Sequence, residues 1–189
     1  MKKILTDAAI WKKVKKAFDP GAAGLDPQVW NDFYARVEKL IHPAVDEGGR
    51  KHITVDIDGA ARNNPGPAGI GMVVRDQNGM MVKEFYEFIG EETNNVAEYR
   101  ALLKALDLAA EFGADKVTIR TDSELLANQM NGRFRVKNIR LLNSFFSAQE
   151  KMKLFARVII EQIPREQNRR ADMLANLAID AQQRAKESS

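Results

Sequence analysis

His52-Ile53-Thr54-Val55-Asp56-Ile57-Asp58-Gly59-Ala60-Ala61-Arg62-Asn63-Asn64-Pro65-Gly66-Pro67-Ala68-Gly69 decides how the rest of the chain is read. Ile53, Val55 and Ile57 alternate with Thr54, Asp56 and Asp58, which is the period of a strand. Asp56 and Asp58 therefore share one strand face, with Asp58 at the strand's end. The glycines and prolines that follow predict a turn-rich stretch from Gly59 to Pro67.

Working toward the C-terminus, Gly69 to Arg75 reads as a second strand. Asp76-Gln77-Asn78-Gly79 is a hairpin turn, and Met80 to Ile89 a third strand. A long helix is expected from about Asn95 to Phe112. Val96, Tyr99, Leu103, Leu106 and Ala110 fall on one of its faces, and Gly113 stops it. Lys116 to Thr121 is a short strand with Val117 and Ile119 inward. Helix resumes at Asp122 or Ser123. Gly132 to Lys137 is a basic loop, Ile139 to Lys151 a helix, Leu154 to Ile163 a strand and Asn168 to Lys186 a final helix. Three strands joined by tight turns, then strands reached through helices, predict an α/β domain. Its mixed five-stranded sheet combines an antiparallel meander with parallel strands and is flanked by helices.

Toward the N-terminus, Ile4, Ala8, Trp11, Val14 and Phe18 recur at helical spacing until Asp19-Pro20-Gly21-Ala22-Ala23-Gly24 breaks the pattern. Asp26-Pro27 starts a second helix carrying Trp30, Phe33, Val37, Leu40 and Ile41. Pro43 ends it, and Asp46-Glu47-Gly48-Gly49-Arg50 reads as a linker. The division is thus an N-terminal helical hairpin with linker over 1–50 and a main domain over 51–189. Residues 1–17 hold six lysines against Asp7 alone, a net +5 in a chain whose total is +3. Such a cluster can attract phosphates, but a solvated helix face is the commoner explanation.

Composition narrows the chemistry. With 189 residues, 44% hydrophobic and 29% charged, this is an ordinary globular composition. Apolar runs are too short for a membrane helix, and the start lacks the apolar core of a secretory signal. There is no Cys, and His42 and His52 are the only histidines. Disulfide scaffolds, thiolate metal sites and cysteine nucleophiles are excluded. A reducing, cytoplasmic setting and a monomer are expected, and catalysis must run mainly on carboxylates, lysines, hydroxyls or a hard metal.

Four acids stand at element boundaries: Asp58 at the end of the first strand, Glu98 in the first turn of the long helix, Asp122 directly after the fourth strand, and Asp172 in the first turn of the last helix. If they converge, their repulsion requires cations. Clustered oxygen ligands without thiolate or imidazole select Mg²⁺ or Mn²⁺. Two such ions about 3.5–4 Å apart suit in-line phosphoryl displacement. Taken one at a time, each acid is more often a helix cap or surface group than a ligand.

The flanking residues add a resemblance. Asp58 to Gly69 resembles the opening signature of type 1 ribonucleases H. Thr93-Asn94-Asn95-Val96-Ala97-Glu98 is similar to their second motif, Thr121-Asp122-Ser123 to the third, and Asn168-Arg169-Arg170-Ala171-Asp172-Met173-Leu174-Ala175 to the fourth. The resemblance covers about residues 52–180. It implies the ribonuclease H fold and a two-metal endonuclease that hydrolyses the RNA strand of RNA–DNA hybrids, leaving 5′-phosphate and 3′-hydroxyl ends. It implies that Asp58, Glu98, Asp122 and Asp172 bind the ions and are catalytic. It further implies that Asn64, Asn94 and Asn95 line the hybrid's minor groove and that Thr93 sits where the family holds a DNA phosphate. Amides that both donate and accept suit a 2′-hydroxyl; without the resemblance, Asn94-Asn95 reads as a helix cap.

The chain departs from the family's pattern in places. Gln162 occupies the spacing of a mobile histidine found in many relatives, so the chain resembles a subgroup lacking it. Arg165 or Glu166 is a partial substitute, or part of a plain surface loop. The long basic, tryptophan-rich handle is absent, and Arg133-Phe134-Arg135-Val136-Lys137 stands as a short basic–aromatic loop able to touch phosphates. Glu91 replaces a basic phosphate contact of some relatives. Asp56 reads as a support residue. Two rival readings stay open: a non-catalytic nucleic-acid-binding protein of this fold, and a nuclease of this fold acting on DNA.

Overall fold

The computed structural model describes residues 51–187; the helical hairpin expected over 1–50 lies outside the described residues, as do 188 and 189. The elements are β1 (His52–Ala61), β2 (Gly66–Arg75), β3 (Met81–Glu92), α1 (Asn94–Glu111), β4 (Lys116–Thr121), α2 (Glu124–Met130), α3 (Ile139–Met152), β5 (Arg157–Gln162), a 3₁₀ turn (Arg165–Gln167) and α4 (Arg169–Glu187). They form one five-stranded sheet in the order β3-β2-β1-β4-β5. β1, β2 and β3 form an antiparallel meander, and β1, β4 and β5 run parallel, which is the mixed sheet expected.

β1 is central, so both of its faces are covered and six of its ten residues are buried. Val55 and Ile57 join Met72, Val74, Tyr99, Leu102, Leu106, Ile119, Leu126 and Leu141 in the core. Each large apolar side chain buried there contributes roughly 1.5–3 kcal/mol. α1 packs on β1 through Val96, Tyr99, Leu102, Ala105, Leu106 and Ala109. Ala110, expected on that face, is exposed, because the buried stripe follows Leu102 and Ala105 instead. Tyr99 Oη donates a buried hydrogen bond of 2.9 Å to Gln129 Oε1, tying α1 to α2, and burial pushes the phenol up to about 12.

α4 crosses the opposite side of β2. At Gly71 an added Cβ would stand 2.3 Å from both Ala171 O and Ala175 N, so only glycine admits the helix at this distance. This contact seats the first turn of α4, and with it Asp172, beside β1.

Several boundaries differ from the sequence reading. The expected turn region Gly59–Pro67 is mostly strand: β1 runs to Ala61, β2 begins at Gly66, and Arg62 N donates to Pro67 O at 2.8 Å across the turn. Its glycines mark close packing inside strands rather than bends. The fifth strand starts at Arg157 rather than Leu154, since Leu154 and Phe155 donate back to Lys151 O and Met152 O in a turn. β3 continues to Glu92. Among the described residues, no helix is long and apolar enough to cross a membrane.

Candidate active site

The parallel pairing of β1 with β4 ends at Asp56↔Arg120. Beyond that row the two strands part, and Asp58 on β1 and Asp122 just past β4 flank the gap. Asp58 lies within β1, still paired to Gly71 of β2, rather than at the strand's end. Glu98 enters from α1. It begins the second turn and not the first, because Thr93 is the N-cap: its Oγ1 accepts from Val96 N at 3.4 Å. Asp172 stands in the first turn of α4, as expected.

These four acids act on one another. Asp58 is only 6% exposed. Burial raises its carboxyl to about 7, with further upward pushes from the charges of Asp122 and Asp172 and from a hydrogen bond with Asp122; Arg165 opposes them. Burial pushes Glu98 well above the carboxylate range, and Asp58 and Asp122 push it further, against one hydrogen bond from the Gly59 backbone. Glu98 Oε2 is buried without a hydrogen-bond partner. Asp172 keeps a third of its side chain exposed, and its Oδ1 faces Arg165 Nη2 at 3.5 Å. Among the described residues, no three of these carboxylates close into a ready-made cage for a single ion.

Asn168, read in the sequence as the start of the last helix and the first residue of the fourth motif but given no role of its own, is the residue that joins the parts. It is 1% exposed. Its Nδ2 donates to Asp122 Oδ1 at 2.7 Å and to Ile57 O at 2.8 Å.

One row below, Asp56 is 3% exposed and faces two arginines, Arg120 Nε at 2.7 Å and Arg75 Nε at 3.3 Å. Its charge is committed to that triad and away from the other acids.

Of the residues expected to meet a nucleic acid, Asn64 and Asn94 touch. Asn64 Oδ1 accepts from Asn94 N at 3.0 Å, joining the β1–β2 turn to the start of α1. Asn94 and Asn95 precede Glu98 by four and three residues, so they lie on its helix face one turn toward the end. Both are exposed. Arg133 to Lys137 is a loop, as expected, anchored by Arg133 N and Phe134 N on Asn128 O.

Residues 56–178 match the family model described as Reverse transcriptase-like. Over 135 residues the chain is 43% identical to the ribonuclease HI of Halobacterium salinarum, covering 71% of this chain and 67% of that one. It is also 43% identical over 130 residues to a bifunctional protein of Mycobacterium tuberculosis. That match covers 68% of this chain and 36% of the relative, so the chain spans about a third of that relative's length. The crystal structure of the Halobacterium salinarum RNase H1 superposes with a TM-score of 0.68 at 41% identity, covering 69% of this chain and 98% of that one. LC11-RNase H1, solved in complex with an RNA/DNA hybrid, gives 0.65 at 44%, covering 68% and 97%. The sheet order and the acids at its split thus define a ribonuclease H-like domain. The chain belongs to the type 1 ribonuclease H family.

Proposed function

We propose that this chain is an endonuclease that hydrolyses the RNA strand of RNA–DNA hybrids, leaving 5′-phosphate and 3′-hydroxyl ends. The observation that carries the reading is the mutual action of Asp58, Glu98, Asp122 and Asp172 at the split between β1 and β4. Four acids gathered this way destabilise one another unless positive charge joins them.

The donor set fits a hard divalent cation. Every side-chain ligand offered is a carboxylate oxygen, and Glu98 Oε2 is buried with no other partner. We assign Asp58 and Asp122 as the central holders of two Mg²⁺ or Mn²⁺ ions, Glu98 to the ion on the leaving-group side and Asp172 to the ion on the water side. Bound there with substrate, such ions supply Lewis acidity and a more acidic water.

The chain's own groups do the rest. Asp172, a third exposed, orients water at the solvent side. Asn64 and Asn94, joined at the start of the helix that carries Glu98, offer amides for the 2′-hydroxyl that separates RNA from DNA. That another family member binds an RNA/DNA hybrid supports this substrate. The test compares cleavage of labelled RNA–DNA hybrid, duplex DNA and duplex RNA, with and without Mg²⁺. Cleavage confined to the RNA strand of the hybrid and dependent on the ion is expected. Binding without cleavage, or cleavage of duplex DNA instead, contradicts the proposal.

A further inference from the structure

The last parallel register pair between β1 and β4 is Asp56↔Arg120. The next β1 residue, Ile57, therefore offers a carbonyl toward β4 that no β4 residue pairs with. Asn168 fills that place. Its Nδ2 reaches Ile57 O at 2.8 Å and Asp122 Oδ1 at 2.7 Å, while its backbone carbonyl accepts from Asp172 N at 3.1 Å. Both side-chain partners are acceptors, so the amide nitrogen must face them, and both of its hydrogens are used. A single side chain, 1% exposed, thus ties the backbone next to Asp58 to the carboxylate of Asp122, while the backbone of the same residue opens the helix that carries Asp172 and its Oδ1 is buried without a hydrogen-bond partner.

We infer that Asn168 is a positioning residue that sets the separation of Asp58 and Asp122 for divalent cations. The inference rests on the proposed function for the identity of the ions. The ladder that spaces β1 and β4 stops one row earlier, so Asn168 bridges the two strands where no backbone pair does. Fixing one carboxylate oxygen with a neutral donor orients it without adding a charge that competes with the cation.

The test uses the full chain with Asn168→Ala, which removes both bonds, and Asn168→Ser, which is polar but too short to span both acceptors. Mg²⁺ binding is read by calorimetry, kcat and KM on labelled hybrid, and folding by circular dichroism. For Asn168→Ala, Mg²⁺ affinity falls about tenfold or more and kcat falls by a similar factor, while KM for hybrid stays within about threefold and the fold is native. Asn168→Ser lies between the two. Unchanged Mg²⁺ affinity in a folded variant overturns the inference, as does a rise in KM at constant kcat. If Asn168→Ala does not fold, Asn168→Ser decides by the same criteria. A wild-type chain that binds Mg²⁺ and cleaves no hybrid defeats the proposed function instead, and the calorimetric comparison still decides the role of Asn168.

Discussion

Gly59 lies so close to Ala97 that a Cβ on it would stand 2.2 Å from the Ala97 carbonyl carbon. The contact presses β1 onto α1 between the two site acids nearest to it in sequence, Asp58 and Glu98. The Gly59 backbone also provides the one hydrogen bond that favours the Glu98 carboxylate.

Gly59→Ala is therefore expected to cost about 3 kcal/mol of stability, since the obstructing atoms are backbone and have no rotamer to yield. Urea denaturation checks this. A midpoint equal to that of the parent protein contradicts the packing account.

Asp56→Asn separates support from chemistry. It leaves Arg75 and Arg120, each about a third exposed or less, beside a neutral group. Stability should fall by about 2 kcal/mol, with hybrid cleavage per folded molecule within about twofold of the parent. Collapse of cleavage at unchanged Tm would make Asp56 a fifth functional acid.

Asp58, with Glu98 acting in the same direction, carries the pH dependence. Its folded-state value is about 7 against an ordinary 3.8. Between those two values the folded chain holds a proton that the unfolded chain has released, so stability falls as pH rises through this window. The metal-free protein should melt at a lower temperature at about pH 7.5 than at about pH 5.5, and millimolar Mg²⁺ should narrow the difference. A Tm that rises over that interval contradicts the raised value.

Asn64→Asp retains the oxygen that accepts from Asn94 N and removes the amide donors. The turn should stay in place while discrimination between hybrid and duplex DNA drops about tenfold, the effect of one lost specific hydrogen bond. Competition assays with both duplexes measure it. Undiminished discrimination removes Asn64 from substrate reading.

Strand alternation, helix periodicity and turn residues made the element order and the mixed sheet readable, because these signals are local. The acids were readable at their boundaries and in the motifs around them. What failed was set by partners distant in the chain. Gly59 signals a bend or a close approach equally well until α1 is placed against it. Asn94-Asn95 drew attention as the cap, but the hydroxyl of Thr93 takes that role and moves Glu98 one residue further into the helix, to the start of its second turn. Leu154, apolar yet 72% exposed, extended the fifth strand on paper. Asn168 opened the fourth motif, but its partners were not readable, since Ile57 and Asp122 lie 111 and 46 residues away.

The most direct measurement of the central claim is hybrid cleavage by Asp122→Asn in Mg²⁺, alongside circular dichroism. This change removes one charge at the β1–β4 split and nearly no volume. Cleavage lower by at least about a hundredfold with a native spectrum is the predicted result. Cleavage at the parent rate would contradict the account.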